Sequence, residues 1–260
     1  MTRERFENFA EYIALGDSMS IDLYPALDAG KTDVGVALER LESAGTVAPL
    51  GAASLFFRNE DDAWPQEQHN DLSSRFRGIG FRKLATDGAT IGDVFGEQIA
   101  LIDEKEEPTL FTLTIGSEDL FSAFSAAPKP AMLDKIVSDL GEALEFLLTG
   151  IRNARPQSLL IATTVCDPSD RTGSIPGVLD RVGPLPIRGI EKFNARLREL
   201  ASGLPDVVVA DPGLEFIGHG VTAEEKDRWF WRRSPLELNA RGAHELRRLW
   251  LEALREAMAR

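Results

Sequence analysis

Cysteine is nearly absent: Cys166 is the only one in 260 residues, so no disulfide can form within the chain. Basic residues are outnumbered, 29 Lys and Arg against 42 Asp and Glu, which leaves a formal net charge of -13. That balance excludes the basic surface that nucleic acid requires, and it opposes binding to anionic membranes. No apolar run approaches the ~20 residues of a membrane-spanning helix. The first residues, Met1 to Glu7, are charged and lack the apolar centre of a signal peptide. A soluble protein in a reducing compartment, the cytoplasm, is therefore expected. Histidine is scarce as well. His69, His219 and His244 lie too far apart to form a zinc motif, so neither metal nor cofactor is expected. No Gly-x-Gly-x-x-Gly follows the first apolar stretch, which argues against a nucleotide phosphate loop.

What is present is a 43% hydrophobic chain, enough to bury the core of one sizeable domain. Short apolar runs alternate with amphipathic stretches. Strands are predicted at Tyr12–Leu15, Gly80–Thr86, Thr109–Ile115, Ser158–Val165 and Asp206–Asp211. Helical spacing appears over 34–41 and over 91–102, then strongly in Met132–Ile151, Ile187–Leu200 and Asn239–Arg260. This is the pattern of a five-stranded parallel sheet with helices on both faces. The whole chain, 1–260, reads as a single domain. Its long connection over about 19–78 is expected to shape a binding surface. Within it, Asn59–Asp62 lacks the glycine and late glutamate of a calcium loop and reads as a solvated turn, as does the surround of His69.

Three predicted strands end in residues able to do chemistry. The first runs into Gly16-Asp17-Ser18, the second breaks at Asp87-Gly88, and the third ends at Gly116-Ser117-Glu118-Asp119. Asp and Ser often do no more than cap a turn, and a glycine often only permits one. In a parallel sheet, however, all three ends fall at the same edge, where ligands bind. A serine there becomes a nucleophile when a base stands beside it.

These blocks resemble the SGNH (GDSL-type) hydrolases. The resemblance implies a flavodoxin-like three-layer fold and cleavage of a small-molecule acyl or acetyl ester by a serine. It places the nucleophile at Ser18 and the oxyanion hole at Ser18, Gly88 and Glu118. Two blocks depart from the family. Glu118 stands where the family has an asparagine donor, and an ionised carboxylate donates nothing to an oxyanion. In Ser234-Pro235-Leu236-Glu237-Leu238-Asn239-Ala240-Arg241-Gly242, Glu237 stands at the family's histidine and Ser234 at its aspartate. The general base is therefore expected elsewhere. His219, between two glycines after the fifth strand, is the candidate, with Asp17, Asp211, Asp227 or Glu237 as its acid partner. His244 is expected on a solvated face of the last helix. The Trp229-Phe230-Trp231 cluster reads first as core. The alternative is a catalytically impaired scaffold of the same fold that binds a ligand or partner. The substrate and the oligomeric state are left open.

Overall fold

Five strands form one parallel sheet in the order β2-β1-β3-β4-β5. They are β1 (Glu11–Gly16), β2 (Gly80–Lys83), β3 (Thr109–Thr114), β4 (Ser158–Thr163) and β5 (Val207–Ala210). The computed structural model describes residues 6–32, 47–125, 132–175, 177 and 184–259. The helix expected over 34–41 lies outside them.

The central strands are buried on both faces, and so they read as nearly continuous apolar runs. Tyr12, Ala14, Leu110, Leu159 and Ile161 point into one layer. There they meet α2 (Ala52–Phe57) and the terminal helix α7 (Ala240–Ala259), which brings Trp250 and Leu254. Short helix α1 (Leu23–Asp28) precedes α2 in the chain. Ile13, Leu15, Phe111, Leu113, Leu160 and Ala162 point the other way. They pack on a helical stretch α3 (Ile91–Asp93, a π turn Val94–Gln98 and a 3-10 turn Ile99–Leu101), on α5 (Leu133–Ala154) and on α6 (Ile187–Gly203). This alternation is the period of two that sorts side chains to opposite faces of a strand. The three-layer α/β sandwich is the expected fold.

Helix α4 (Ser117–Ser125) follows β3 directly. An antiparallel hairpin, β6 (Phe230–Trp231) and β7 (Ser234–Leu238), lies outside the main sheet. Neither strand was expected from the sequence, because two and five residues with a proline show little alternation.

Several polar groups inside the sheet are paired. The Tyr12 hydroxyl meets Thr112 Oγ1 at 2.8 Å, and Trp250 Nε1 donates to Thr163 Oγ1 at 2.9 Å. At the opposite edge, buried Arg155 donates to Glu11 Oε2 at 2.9 Å and Thr109 Oγ1 at 3.1 Å. No helix among the described residues is long and apolar enough to cross a membrane.

Candidate active site

From β1 the chain crosses to β2 on one side and returns past β1 to β3 on the other. A crevice therefore opens beyond the carboxyl ends of β1 and β3, the switch point where ligands bind in such sheets. Ser18 follows β1 by two residues, and Ser117 opens α4 after β3.

The turn after β1 is held from three sides. Gly16 has φ +116 and lies so close to β3 that a Cβ there would sit 1.7 Å from the Thr114 carbonyl oxygen. The Gln98 side-chain amide, brought over by the π turn in α3, accepts from Gly16 N at 2.8 Å and donates to its carbonyl at 2.9 Å. Asp17 caps the 3-10 turn Ser18–Ser20 by accepting from Met19 N at 3.1 Å. Asp17 N donates to the Thr114 carbonyl at 2.9 Å. The capping role and the site role of Asp17-Ser18 thus coexist: the cap fixes the turn that presents the serine.

Glu237 meets Ser18. It lies on β7, which packs against the turn that begins at Ser18, and the Ser18 hydroxyl is near enough to act on its carboxyl. Among the described residues, Glu237 Oε2 is buried with no hydrogen-bond partner. Burial pushes this carboxyl up to about 8, against the opposing effect of the Ser18 hydroxyl, and the charges of Asp87, Asp17 and Glu118 push it the same way. Every one of those neighbouring charges is acidic. Asp17 is 3% exposed and also rises, to about 6, chiefly through burial. Asp119 rises to about 6 for the same reason, although its carboxyl accepts from Ile91 N at 3.1 Å.

Two backbone amides, of Ser18 and Gly88, are the candidates to hold an oxyanion. Gly88, at φ +67, sits in the turn after β2. Among the described residues the amides of Ser18 and Gly88 donate no hydrogen bond, so both are open to a ligand. Glu118 does not supply a third. Its Oε1 accepts from Ser122 Oγ at 2.7 Å, one turn along α4.

The base expected at His219 is not found against Ser18 among the described residues. Its ring stacks on Trp229 at 3.6 Å between centroids and 1° between planes, and Nδ1 bonds the Asp227 carbonyl at 2.7 Å. The glycines around it serve a different contact, since Gly218 N and Gly220 N both donate to Asp170 Oδ1 at 2.9 Å. Asp227 contributes its backbone oxygen to the imidazole. Asp211 is committed to Arg198, at 2.6 and 2.8 Å, and to Thr164. Of the four expected acid partners, Glu237 alone meets the serine, and it does so without an imidazole between them.

His244 corrects a second expectation. It is 6% exposed and stacks on Trp64 at 3.9 Å, beside buried Arg247. The helical wheel gives its angle correctly, but the irregular segment around residues 59–71 covers that side of α7. Arg247 donates to Asn59 Oδ1 across this contact at 3.0 Å. The aromatic cluster divides: Phe230 is core, Trp229 carries His219, and Trp231 faces Tyr24 at 5.8 Å. Tyr24 was missed from sequence. Its hydroxyl donates to Asp87 Oδ2 at 2.8 Å, and Glu237 acts on it electrostatically.

No protein-family model and no curated protein sequence matches the chain. Solved structures do. An extracellular lipase from Streptomyces rimosus superposes with a TM-score of 0.62 at 18% identity, covering 95% of this chain and 99% of the lipase. Phospholipase A1 from Streptomyces albidoflavus NA297 gives 0.57 at 17% identity, over 96% and 99%. The acetyl xylan esterase AlAXEase gives 0.57 at 13% identity, over 94% and 99%. The fold is that of the SGNH hydrolases. Asn239 caps α7, accepting from Gly242 N at 2.8 Å and tying the preceding loop through Arg228 O.

The three raised carboxyls set a pH dependence of stability. Each folded-state value lies above that of an exposed carboxylate, so the native state holds these protons more tightly than the unfolded chain. Their contribution is complete below ~4. It is lost as pH rises through about 6 for Asp17 and Asp119 and about 8 for Glu237. Thermal melts from pH 5.5 to 8.5 are expected to show a falling Tm. In Glu237→Gln the decline between pH 6.5 and 8.5 is expected to be shallower. An unchanged slope in the variant would place the titrating groups elsewhere.

Proposed function

We propose that the protein hydrolyses carboxylic esters, with Ser18 as nucleophile and Glu237 as its general base. The placing of the Glu237 carboxyl, with its Oε2 buried, beside the turn that presents Ser18 carries the reading. A free carboxylate near 4 is a poor proton acceptor at neutral pH. A carboxyl raised to about 8 is a far better one once ionised, because basicity rises with the conjugate acid's value.

On this reading the reaction runs in two halves. Ionised Glu237 takes the Ser18 proton as Oγ bonds to the ester carbonyl carbon, and the carbonyl oxygen becomes an oxyanion facing the Ser18 and Gly88 amides. Collapse of the intermediate breaks the bond to the alcohol, which leaves with the proton from Glu237. Water then attacks the acyl-serine, Glu237 accepts its proton, and the acid departs as Ser18 recovers the hydrogen. With Glu118 turned to Ser122, Glu118 does not supply the third donor. A loss of this kind costs on the order of a hundredfold or more in rate.

Fluorophosphonate labelling tests this directly. Stoichiometric modification that maps to Ser18 is expected, with a rate that climbs as pH passes through about 8. Absence of labelling across pH 6–9.5, together with no hydrolysis of p-nitrophenyl esters of any acyl length, would leave the scaffold as a binding protein.

A further inference from the structure

We propose that Gln98 is the positioning residue of the oxyanion hole, fixing the Ser18 and Gly88 amides against each other through Gly16 and Thr86. The assignment rests on the hydrolase reading above and goes beyond it to a residue that touches neither substrate nor nucleophile.

Two amides that act on one oxygen must keep a set separation, because each donor works only within about 2.7–3.1 Å of the position the oxyanion takes. Here the two amides sit on different turns, Ser18 after β1 and Gly88 after β2. The ladder between these strands ends at Ala14 and Lys83, short of both turns. Gly88 has a positive φ, and glycine by itself restrains a turn least of all residues. Something beyond the ladder has to tie the turns together.

The Gln98 side chain stands in for the missing strand. Its Oε1 accepts from Gly16 N at 2.8 Å, and its Nε2 donates to the Gly16 carbonyl at 2.9 Å. Nε2 also reaches Thr86 Oγ1 at 3.4 Å. Thr86 N donates to the same Gly16 carbonyl at 3.0 Å. The Thr86 carbonyl in turn accepts from Ala89 N at 3.4 Å, which closes the turn that holds Gly88. Gly16 stands two residues before Ser18, and Thr86 two residues before Gly88. One amide, 3% exposed, therefore binds at the root of both turns.

The backbone around Gln98 is itself unusual. Gln98 ends the π turn Val94–Gln98, where Ile99 N bonds the Val94 carbonyl. Single π turns are rare and concentrate at functional sites. The start of α3 is anchored separately, by the capping box of Thr90 and Asp93 and by Asp119, which accepts from Ile91 N at 3.1 Å. Gly88 is thus bracketed by Thr86 on one side and a capped helix on the other.

Such a clamp acts on the transition state. A neutral ester carbonyl gains little from the hole, whereas the developing charge needs both amides in place. Loosening the two turns is expected to lower kcat and leave KM.

The test uses p-nitrophenyl esters, with every variant held well below its melting temperature. Gln98→Met removes the hydrogen bonds at similar volume. Tyr12→Phe is the control, because it takes a buried hydrogen bond to Thr112 out of the same strand, away from the turns. Gln98→Met is expected to lose about tenfold to a hundredfold in kcat with KM within about twofold, and Tyr12→Phe to keep the native kcat. Gln98→Glu supplies a rescue. When protonated, the introduced carboxyl accepts from Gly16 N and donates to its carbonyl as the amide does; when ionised, it repels that carbonyl. Its kcat relative to the native protein is expected to fall as pH rises from 5.5 to 9. Native kcat in Gln98→Met, or an equal loss in Tyr12→Phe, would overturn the positioning role while the hydrolase stands. If Gln98→Met does not fold, a ratio for Gln98→Glu that is independent of pH overturns it. If the native chain cleaves no ester and fluorophosphonate fails to label Ser18, the hydrolase reading falls instead. Backbone NMR then judges the clamp: order parameters of the Ser18 and Gly88 amides that drop together in Gln98→Met but not in Tyr12→Phe retain it, and unchanged values remove it.

Discussion

Glu237→Gln is expected to lower kcat/KM by about a hundredfold to ten-thousandfold on any ester the protein cleaves, the span typical of losing a positioned general base. Glutamine keeps the volume and can still accept from the Ser18 hydroxyl, but it cannot take the proton. The fold should survive the change, because the variant removes a buried acid that becomes charged as pH rises. A second variant makes the result specific. Glu237→His places an imidazole where the family pattern has one, and it is expected to recover part of the rate with a midpoint near ~6.5, the ordinary histidine value. The native profile should instead rise through about 8. His219→Ala is the counter-test. Its ring stacks on Trp229 and bonds Asp227, so its removal should cost local order and little rate. Full activity in Glu237→Gln, with activity lost in His219→Ala, would return the base to His219.

Gly16→Ala should leave little folded protein. The φ of +116 already disfavours any side chain, and the new Cβ would lie 1.7 Å from a backbone oxygen. That oxygen cannot retreat. Thr114 is the register partner of Gly16 in the β1–β3 ladder, and its carbonyl accepts from Asp17 N. Gln98 grips both polar groups of Gly16 from the opposite layer. Relief requires separating the two central strands, so a loss of about 4 kcal/mol or more is expected. Gly88→Ala is the comparison. Gly88 also has a positive φ, but a Cβ there meets nothing within 4 Å. Its cost is backbone strain alone, about 1–2 kcal/mol. Urea titrations of both variants measure the contrast. A Gly16→Ala protein with the midpoint of the native chain would mean that the first turn is not locked to β3.

The layers of the fold were legible because they follow from local pattern. Parallel strands buried on both faces must be short and apolar, and covering helices must show apolar residues at three and four. Thr109–Ile115 and Met132–Ile151 satisfy these rules without help from distant residues. The glycines at the strand ends were legible for a similar reason, since Gly16, Gly88 and Gly116 all take a positive φ that side chains disfavour.

The partner of Ser18 was not legible as a partner. Glu237 could be aligned with the family's histidine, but a glutamate at one position says nothing of its protonation. Its role depends on the burial it reaches at the hairpin and on Asp87, Asp17 and Glu118, which come from three other places in the chain. His219 drew attention through its flanking glycines, yet those amides bind Asp170, a loop residue 48 positions away from Gly218. His244 was judged by its angle on one helix, and the segment that buries it arrives from residues 59–71. Sequence by itself determined where the sheet lies, where its strands end and which serine stands at the edge, because covalent neighbours and periodicity decide those matters. Only the tertiary structure decided which acid meets that serine and how strongly it holds its proton, because long-range contact and desolvation decide those.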